Sequence, residues 1–83
     1  MASEIKVYGK PDCYGCKATM KKLGQMQERG TLHTPVQYID ITVNEVAYQA
    51  VKDLGYQSVP VVVAPDGRHW AGYSPDKVGS LEE

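Results

Sequence analysis

The sequence predicts an α/β domain with the element order βαβαββα, a four-stranded mixed sheet flanked by three helices. Three observations predict it. Short apolar segments alternate with helix-period segments in the first half, which implies crossovers and parallel pairing. Val59–Ala64 is apolar at every position. Turn chemistry at Pro65-Asp66-Gly67 then leads to a short return strand and a last helix. At 83 residues the chain makes one domain, residues 1–83, with a small core.

Residues 4–8 alternate, with Ile5 and Val7 on one face, and read as a strand. In the next segment Cys16, Met20 and Leu23 share a helical stripe with Thr19 and Met26 beside them, while Lys17, Lys21, Lys22 and Gln25 face away. A glycine inside a helix costs about 1 kcal/mol relative to alanine, so this helix ends either at Gly24 or near Gly30. Gly30–Pro35 is a loop, and Val36–Ile41 a second strand. Thr42-Val43-Asn44-Glu45 has the form of a capping box, with Thr42 at the N-cap. Behind it Val46, Ala47, Ala50, Val51 and Leu54 form an apolar stripe that Gly55 brings to a stop. Val59–Ala64 reads as a central strand covered on both faces. Arg68–Ala71 returns as an antiparallel edge strand. Ser74-Pro75-Asp76 opens the last helix with an N-cap, a proline at the first helical position and an acid in the first turn.

Composition excludes several function classes. A formal net charge of −1 gives no electrostatic case for nucleic acid or an anionic membrane. The longest apolar run is far too short to cross a bilayer. Met1-Ala2-Ser3-Glu4 has neither a basic region nor an apolar stretch, so no signal peptide is expected and the cytoplasm is the expected location. Thiols are kept reduced there, and a Cys-x-x-Cys loop is too small to be an effective structural staple.

Chemistry is therefore sought at Cys13 and Cys16, the only cysteines. The order strand, tight loop, dithiol, helix places Cys13 at a helix N-terminus, where the backbone dipole favours a thiolate. Cys13 is the expected nucleophile. Cys16 falls on the core-facing stripe and is the expected resolving thiol, attacking the mixed disulfide from behind. Gly15 keeps the turn narrow. Lys10 or Lys17 either adds positive charge near Cys13 or is simply solvated. A Cys-x-x-Cys is also half a zinc site, but the only histidines, His33 and His69, show no pairing signature, so no metal ligands are assigned.

Two further segments stand out. In Ser58-Val59-Pro60 the X-Pro bond enters a buried strand, a place where a cis peptide is retained and the preceding backbone is presented to a substrate. The plainer alternative is a trans proline at a strand's first residue. With the cis form, Val59 offers its N–H and C=O to an extended peptide beside Cys13. In His69-Trp70-Ala71-Gly72-Tyr73-Ser74-Pro75 the single tryptophan is either a core anchor for the last helix or an apolar lip beside the dithiol.

Over nearly the whole chain these residues resemble the NrdH-redoxins, glutaredoxin-like proteins of the thioredoxin fold that behave as thioredoxins. The resemblance is carried by Val7-Tyr8, Lys10-Pro11 and the Cys-x-x-Cys, then Asp40-Ile41, Leu54-Gly55-Tyr56 and Pro60-Val61-Val62-Val63. Trp70-Ala71-Gly72-Tyr73-Ser74-Pro75 matches the family's Trp-Ser-Gly-Phe-Arg-Pro signature. It implies a monomeric thiol donor to a class Ib ribonucleotide reductase, re-reduced by thioredoxin reductase and NADPH, with no bound cofactor. It also implies that Cys13 and Cys16 are the redox pair and Pro60 the active-site cis-proline. Lys10, Pro11 and Tyr14, with Val59 and Pro60, and Trp70, Gly72 and Tyr73, then form the surface that a partner meets. The chain departs from the family at Tyr14-Gly15, at Ala71 and Ser74, which replace a serine and an arginine, and in a longer connection from Gln25 to Pro35. The Gly-Gly-x-Asp-like segment by which glutaredoxins hold glutathione is replaced by Gly72-Tyr73, which implies poor use of glutathione.

The leading expectation is a dithiol–disulfide oxidoreductase of thioredoxin-like potential, roughly −250 mV. The alternatives are a glutathione-dependent glutaredoxin and a metal or iron–sulfur carrier acting through the Cys-x-x-Cys. A non-catalytic binding module ranks last, because both cysteines stand at ideal spacing.

Overall fold

The computed structural model describes residues 4–83; the reading of the N-terminal residues as free of a signal peptide bears on Met1 to Ser3, outside the described residues. The elements are β1 (Ile5–Gly9), α1 (Tyr14–Glu28), β2 (Val36–Asp40), α2 (Glu45–Asp53), β3 (Val61–Val63), β4 (His69–Ala71) and α3 (Pro75–Gly79). This is the predicted βαβαββα order. The sheet runs β2-β1-β3-β4, with β1 and β2 parallel and the other pairs antiparallel. Val7 is in register with Tyr38 on one side and Val62 on the other, and Val62 with Trp70. The architecture is the thioredoxin fold.

The pleat of β1 sends alternate side chains to two core layers. Ile5 and Val7 join Val62 and Trp70 beneath Leu23 and Met26 of α1 and Val78 and Leu81 at α3. Tyr8 and Val61 face the other way, against Ala47 and Val51 of α2. Val61 and Val62 are thus buried on opposite faces, the signature of an inner strand. Among the described residues no helix is long and apolar enough to cross a membrane.

Several boundaries differ from expectation for identifiable reasons. Helix α1 passes through Gly24 and ends where Gly30 takes φ 77°. The Gly30 N–H reaches the Gln27 carbonyl and the Thr31 N–H the Met26 carbonyl, closing a Schellman motif. Burial of Leu23 and Met26 on either side outweighs the roughly 1 kcal/mol that Gly24 costs. The N-cap of α2 is Asn44, not Thr42: the Asn44 Oδ1 accepts the Ala47 N–H at 3.0 Å. Thr42 is taken up by the Asp40 carboxylate, which accepts both its N–H and its hydroxyl, so it has turned toward the strand end. Of the expected apolar stripe, Val46 lies outside the core, 81% exposed, and Leu54 is the C-cap residue. Strand β2 stops at Asp40, one residue short of Ile41, and β4 starts at His69 instead of Arg68. The β3 ladder covers only Val61–Val63 of the expected Val59–Ala64.

At the far end, the Glu83 N–H donates to the Thr31 carbonyl at 2.7 Å, and the Glu83 carboxylate accepts the Thr34 N–H and hydroxyl. The Thr34 hydroxyl foremost, and the Thr34 N–H with it, hold the Glu83 carboxyl below its usual pKa.

Candidate active site

The loop Lys10–Asp12 leaves β1 at the surface, with Asp12 in the left-handed region at φ 58°, and delivers Cys13 as the N-cap of α1. Cys13 has extended backbone (φ −111°, ψ 110°), and its sulfur accepts the Cys16 N–H at 3.2 Å. A sulfur here occupies the place that a Ser or Asp oxygen takes in an ordinary cap. Both the helix dipole and this N–H favour the charged thiolate. Cys13 and Cys16 have their sulfurs in bonding contact, with Cα atoms 5.2 Å apart. Both are buried, Cys16 more deeply (2% exposed, against 9% for Cys13). The order of access is that of an attacking and a resolving thiol.

On one side of the pair, the Val59 carbonyl oxygen lies 3.8 Å from the Cys13 sulfur. The Val59–Pro60 peptide is cis, and Pro60 is buried. A Cβ on Gly15 would stand 3.1 Å from Pro60 Cδ and 3.6 Å from Tyr73 Cβ, so the glycine keeps the dithiol turn pressed against both. Gly72, at φ 83°, donates its N–H to the Pro60 carbonyl at 2.8 Å, which ties the Tyr73 segment to the proline. Tyr73 is therefore a wall of the site, with its ring partly exposed. Tyr14 projects almost fully into solvent, and Lys10 and Pro11 are exposed. Trp70 is placed differently: it is 5% exposed and packed among Val62, Val78 and Leu81, which is the core anchor and not the lip. Its indole N–H is buried without a hydrogen-bond partner.

A groove of about 540 Å³ adjoins this side, running from Lys10 and Val59 to Tyr48, Val51 and Tyr56 of the α2 region. The Tyr56 hydroxyl is held by His69 Nδ1 at 2.8 Å. Tyr48 and Tyr56 were not readable as site residues, because they approach Val59 only through the α2 crossover. On the opposite side a second groove, about 350 Å³, is lined by Lys10, Pro11, Cys16, Lys17, Met20 and Tyr38. Tyr38 is the other residue missed by sequence reasoning. Its only sequence signal was its parity with Val36 on β2, which puts both on the α1 face. Burial and then the nearby Asp40 carboxylate push its hydroxyl above the ordinary tyrosine range. Among the described residues no three His, Cys, Asp or Glu side chains converge as a metal set.

The glutaredoxin family profile matches residues 5–70. No curated protein gives a significant sequence match. Among solved structures, the glutaredoxin-like protein NrdH-redoxin from Escherichia coli is similar over 96% of both chains, at 30% identity and a TM-score of 0.80. That protein is described as having a thioredoxin-like activity profile. The thioredoxin-like protein BC3987 is 25% identical over 94% of this chain and 99% of its own, with a TM-score of 0.74. The glutaredoxin from Archaeoglobus fulgidus is 29% identical over 95% of this chain and 85% of its own, with a TM-score of 0.69. With the matched profile spanning both cysteines and most of the sheet, this chain belongs to the glutaredoxin family and is a thiol–disulfide oxidoreductase.

Proposed function

We propose that the protein is a thioredoxin-like electron donor: a dithiol that reduces protein disulfides, class Ib ribonucleotide reductase among them, and is itself re-reduced by thioredoxin reductase at the expense of NADPH. It works as a monomer in the cytoplasm and needs no bound cofactor. The observation that carries this reading is the placement of Gly72-Tyr73. Tyr73 Cβ would lie 3.6 Å from a Gly15 Cβ, directly beside the dithiol, and its bulky ring stands where glutaredoxins keep their glutathione-holding segment. The likeness to the E. coli NrdH-redoxin supports the same assignment, since its described activity profile is thioredoxin-like.

In the cycle, the Cys13 thiolate attacks a substrate disulfide and forms a mixed disulfide, releasing one substrate thiolate. The exposed flank of Tyr14, Pro11 and Lys10, with the Val59 backbone, receives the substrate chain. Cys16 then attacks Cys13, which frees the second substrate thiolate and leaves the Cys13–Cys16 disulfide.

The test is NADPH consumption during insulin reduction, run once with thioredoxin reductase and once with glutathione plus glutathione reductase. Activity with the first system is expected. Turnover with the second alone would overturn the proposal.

A further inference from the structure

The hydroxyl of Tyr38 lies next to the sulfur that carries the second half of the cycle. Tyr38 and Gly9 sit on the α1 face of adjacent parallel strands, with Val7 opposite Tyr38 in register. A Cβ at Gly9 would be 2.7 Å from the Tyr38 hydroxyl oxygen and 3.0 Å from the Cys16 sulfur. Oxygen and sulfur therefore flank the same small gap, separated by less than the sum of those two distances. Both line the groove on the Cys16 side of the dithiol. The hydroxyl's present partner is the Lys10 carbonyl at 3.4 Å, a bond at the long limit that is weak enough to exchange.

We propose that Tyr38 acts in the resolving step, donating its O–H to the Cys16 sulfur as that sulfur becomes a thiolate. This rests on the dithiol cycle proposed above and adds a residue to it. In the mixed disulfide, the Cys16 thiol releases its proton to solvent through the open groove. Its lone pair then attacks the Cys13 sulfur, the Cys13–Cys16 bond forms, and the bond from Cys13 to the substrate sulfur breaks. The electron pair leaves with the substrate sulfur, which takes up a proton from water. Tyr38 keeps its own proton throughout and only moves its hydrogen bond from Lys10 to sulfur. Its raised pKa keeps the phenol protonated and able to donate.

Among the described residues that line this groove, no other side chain offers a neutral O–H. The remaining charged groups on the groove are Lys10, Asp12 and Lys17, all exposed, and Asp40 follows on β2 with its carboxylate engaged by Thr42. Helix α1 contributes Met20, which is apolar. A buried thiolate at Cys16 gains little from solvent, so one directed O–H matters more than the screened lysines.

The test uses Tyr38→Phe, which keeps the ring against Gly9 and removes only the hydroxyl. In a Cys13→Ser background, the Cys16 thiolate is titrated by its ultraviolet absorbance. Loss of the O–H is expected to raise the Cys16 pKa by about one unit. With Cys13 present, stopped-flow mixing with a disulfide peptide is expected to show release from the mixed disulfide slowed about three- to fourfold, the thiolate being about tenfold scarcer but more nucleophilic, while formation of the mixed disulfide keeps its rate. An unchanged Cys16 titration together with unchanged release would overturn the role of Tyr38 and leave the dithiol cycle standing. A wild-type protein that forms no mixed disulfide at all would overturn both.

Discussion

Placing a single methyl group at Gly9 tests how tightly the Cys16 side of the site is built. Gly9→Ala sets a Cβ 2.7 Å from both Cε2 and the hydroxyl of Tyr38 and 3.0 Å from the Cys16 sulfur. Ordinary carbon contacts lie at about 3.5–4.0 Å, so the Tyr38 ring must retreat by about 1 Å and the sulfur by less. Overpacking of this kind costs about 1–3 kcal/mol. Alanine recovers about 0.4–1 kcal/mol by restricting the unfolded chain, because Gly9 has no positive φ to protect. Tyr38 is 41% exposed and can swing toward solvent, which holds the steric cost near about 2 kcal/mol, below the top of that range. The net expectation is a loss of about 1 kcal/mol, or about 4–8 °C in Tm for a domain of this size. Urea unfolding at a fixed redox state measures it. In a Tyr38→Ala background the ring contact is gone, only the sulfur at 3.0 Å is crowded, and the cost of Gly9→Ala should fall close to zero. Equal costs in the two backgrounds would refute the account, and with it the packing on which the role of Tyr38 depends.

Cys16→Ser should accumulate a covalent mixed disulfide with substrate, visible on non-reducing gels, because the buried second sulfur is what releases it. Asn44→Ala should cost about 1 kcal/mol in urea unfolding and more than Thr42→Ala, since Asn44 is the residue that caps α2. Trp70→Phe should cost less than about 1.5 kcal/mol in the same assay, because the indole N–H it removes is buried without a partner. Asp66 is held below the usual carboxylate range, first by the Arg68 backbone N–H and also by its side chain, so its contribution is present above the unfolded-state pKa and lost as pH falls through the lower folded-state value. Asp66→Asn should therefore lower Tm slightly at neutral pH, and the difference from wild type should vanish once acid has protonated Asp66 in both states.

The dithiol and its helix were legible because the signals are local: apolar alternation ending at Gly9, two cysteines three apart, and a helical stripe through Leu23 and Met26. Where two local rules competed, the sequence could not rank them. Thr42 and Asn44 are both good caps, and the choice turned on Asp40, which captures Thr42 from the end of the neighbouring strand. Likewise the penalty at Gly24 was readable, but the burial of Met26 that outweighs it belongs to the sheet and α3. Trp70 fitted a lip as well as a core until the β3–β4 register placed it opposite Val62. Tyr38 could not be found at all without the parallel pairing of β2 to β1, because Gly9 and Cys16 lie in other elements.

The sulfur of Cys13 is both the reacting atom and the cap of α1, accepting the Cys16 N–H at 3.2 Å. Electron transfer and helix stability are therefore two readings of one equilibrium. A thiolate accepts this N–H more strongly than a disulfide sulfur does, so whatever tightens the first turn of α1 favours the reduced form and makes the protein a weaker reductant. Whatever loosens it lowers the midpoint potential and makes a stronger one. Substitutions along α1 that touch neither sulfur thus become a tuning range for the potential, and the helix serves as part of the electrode.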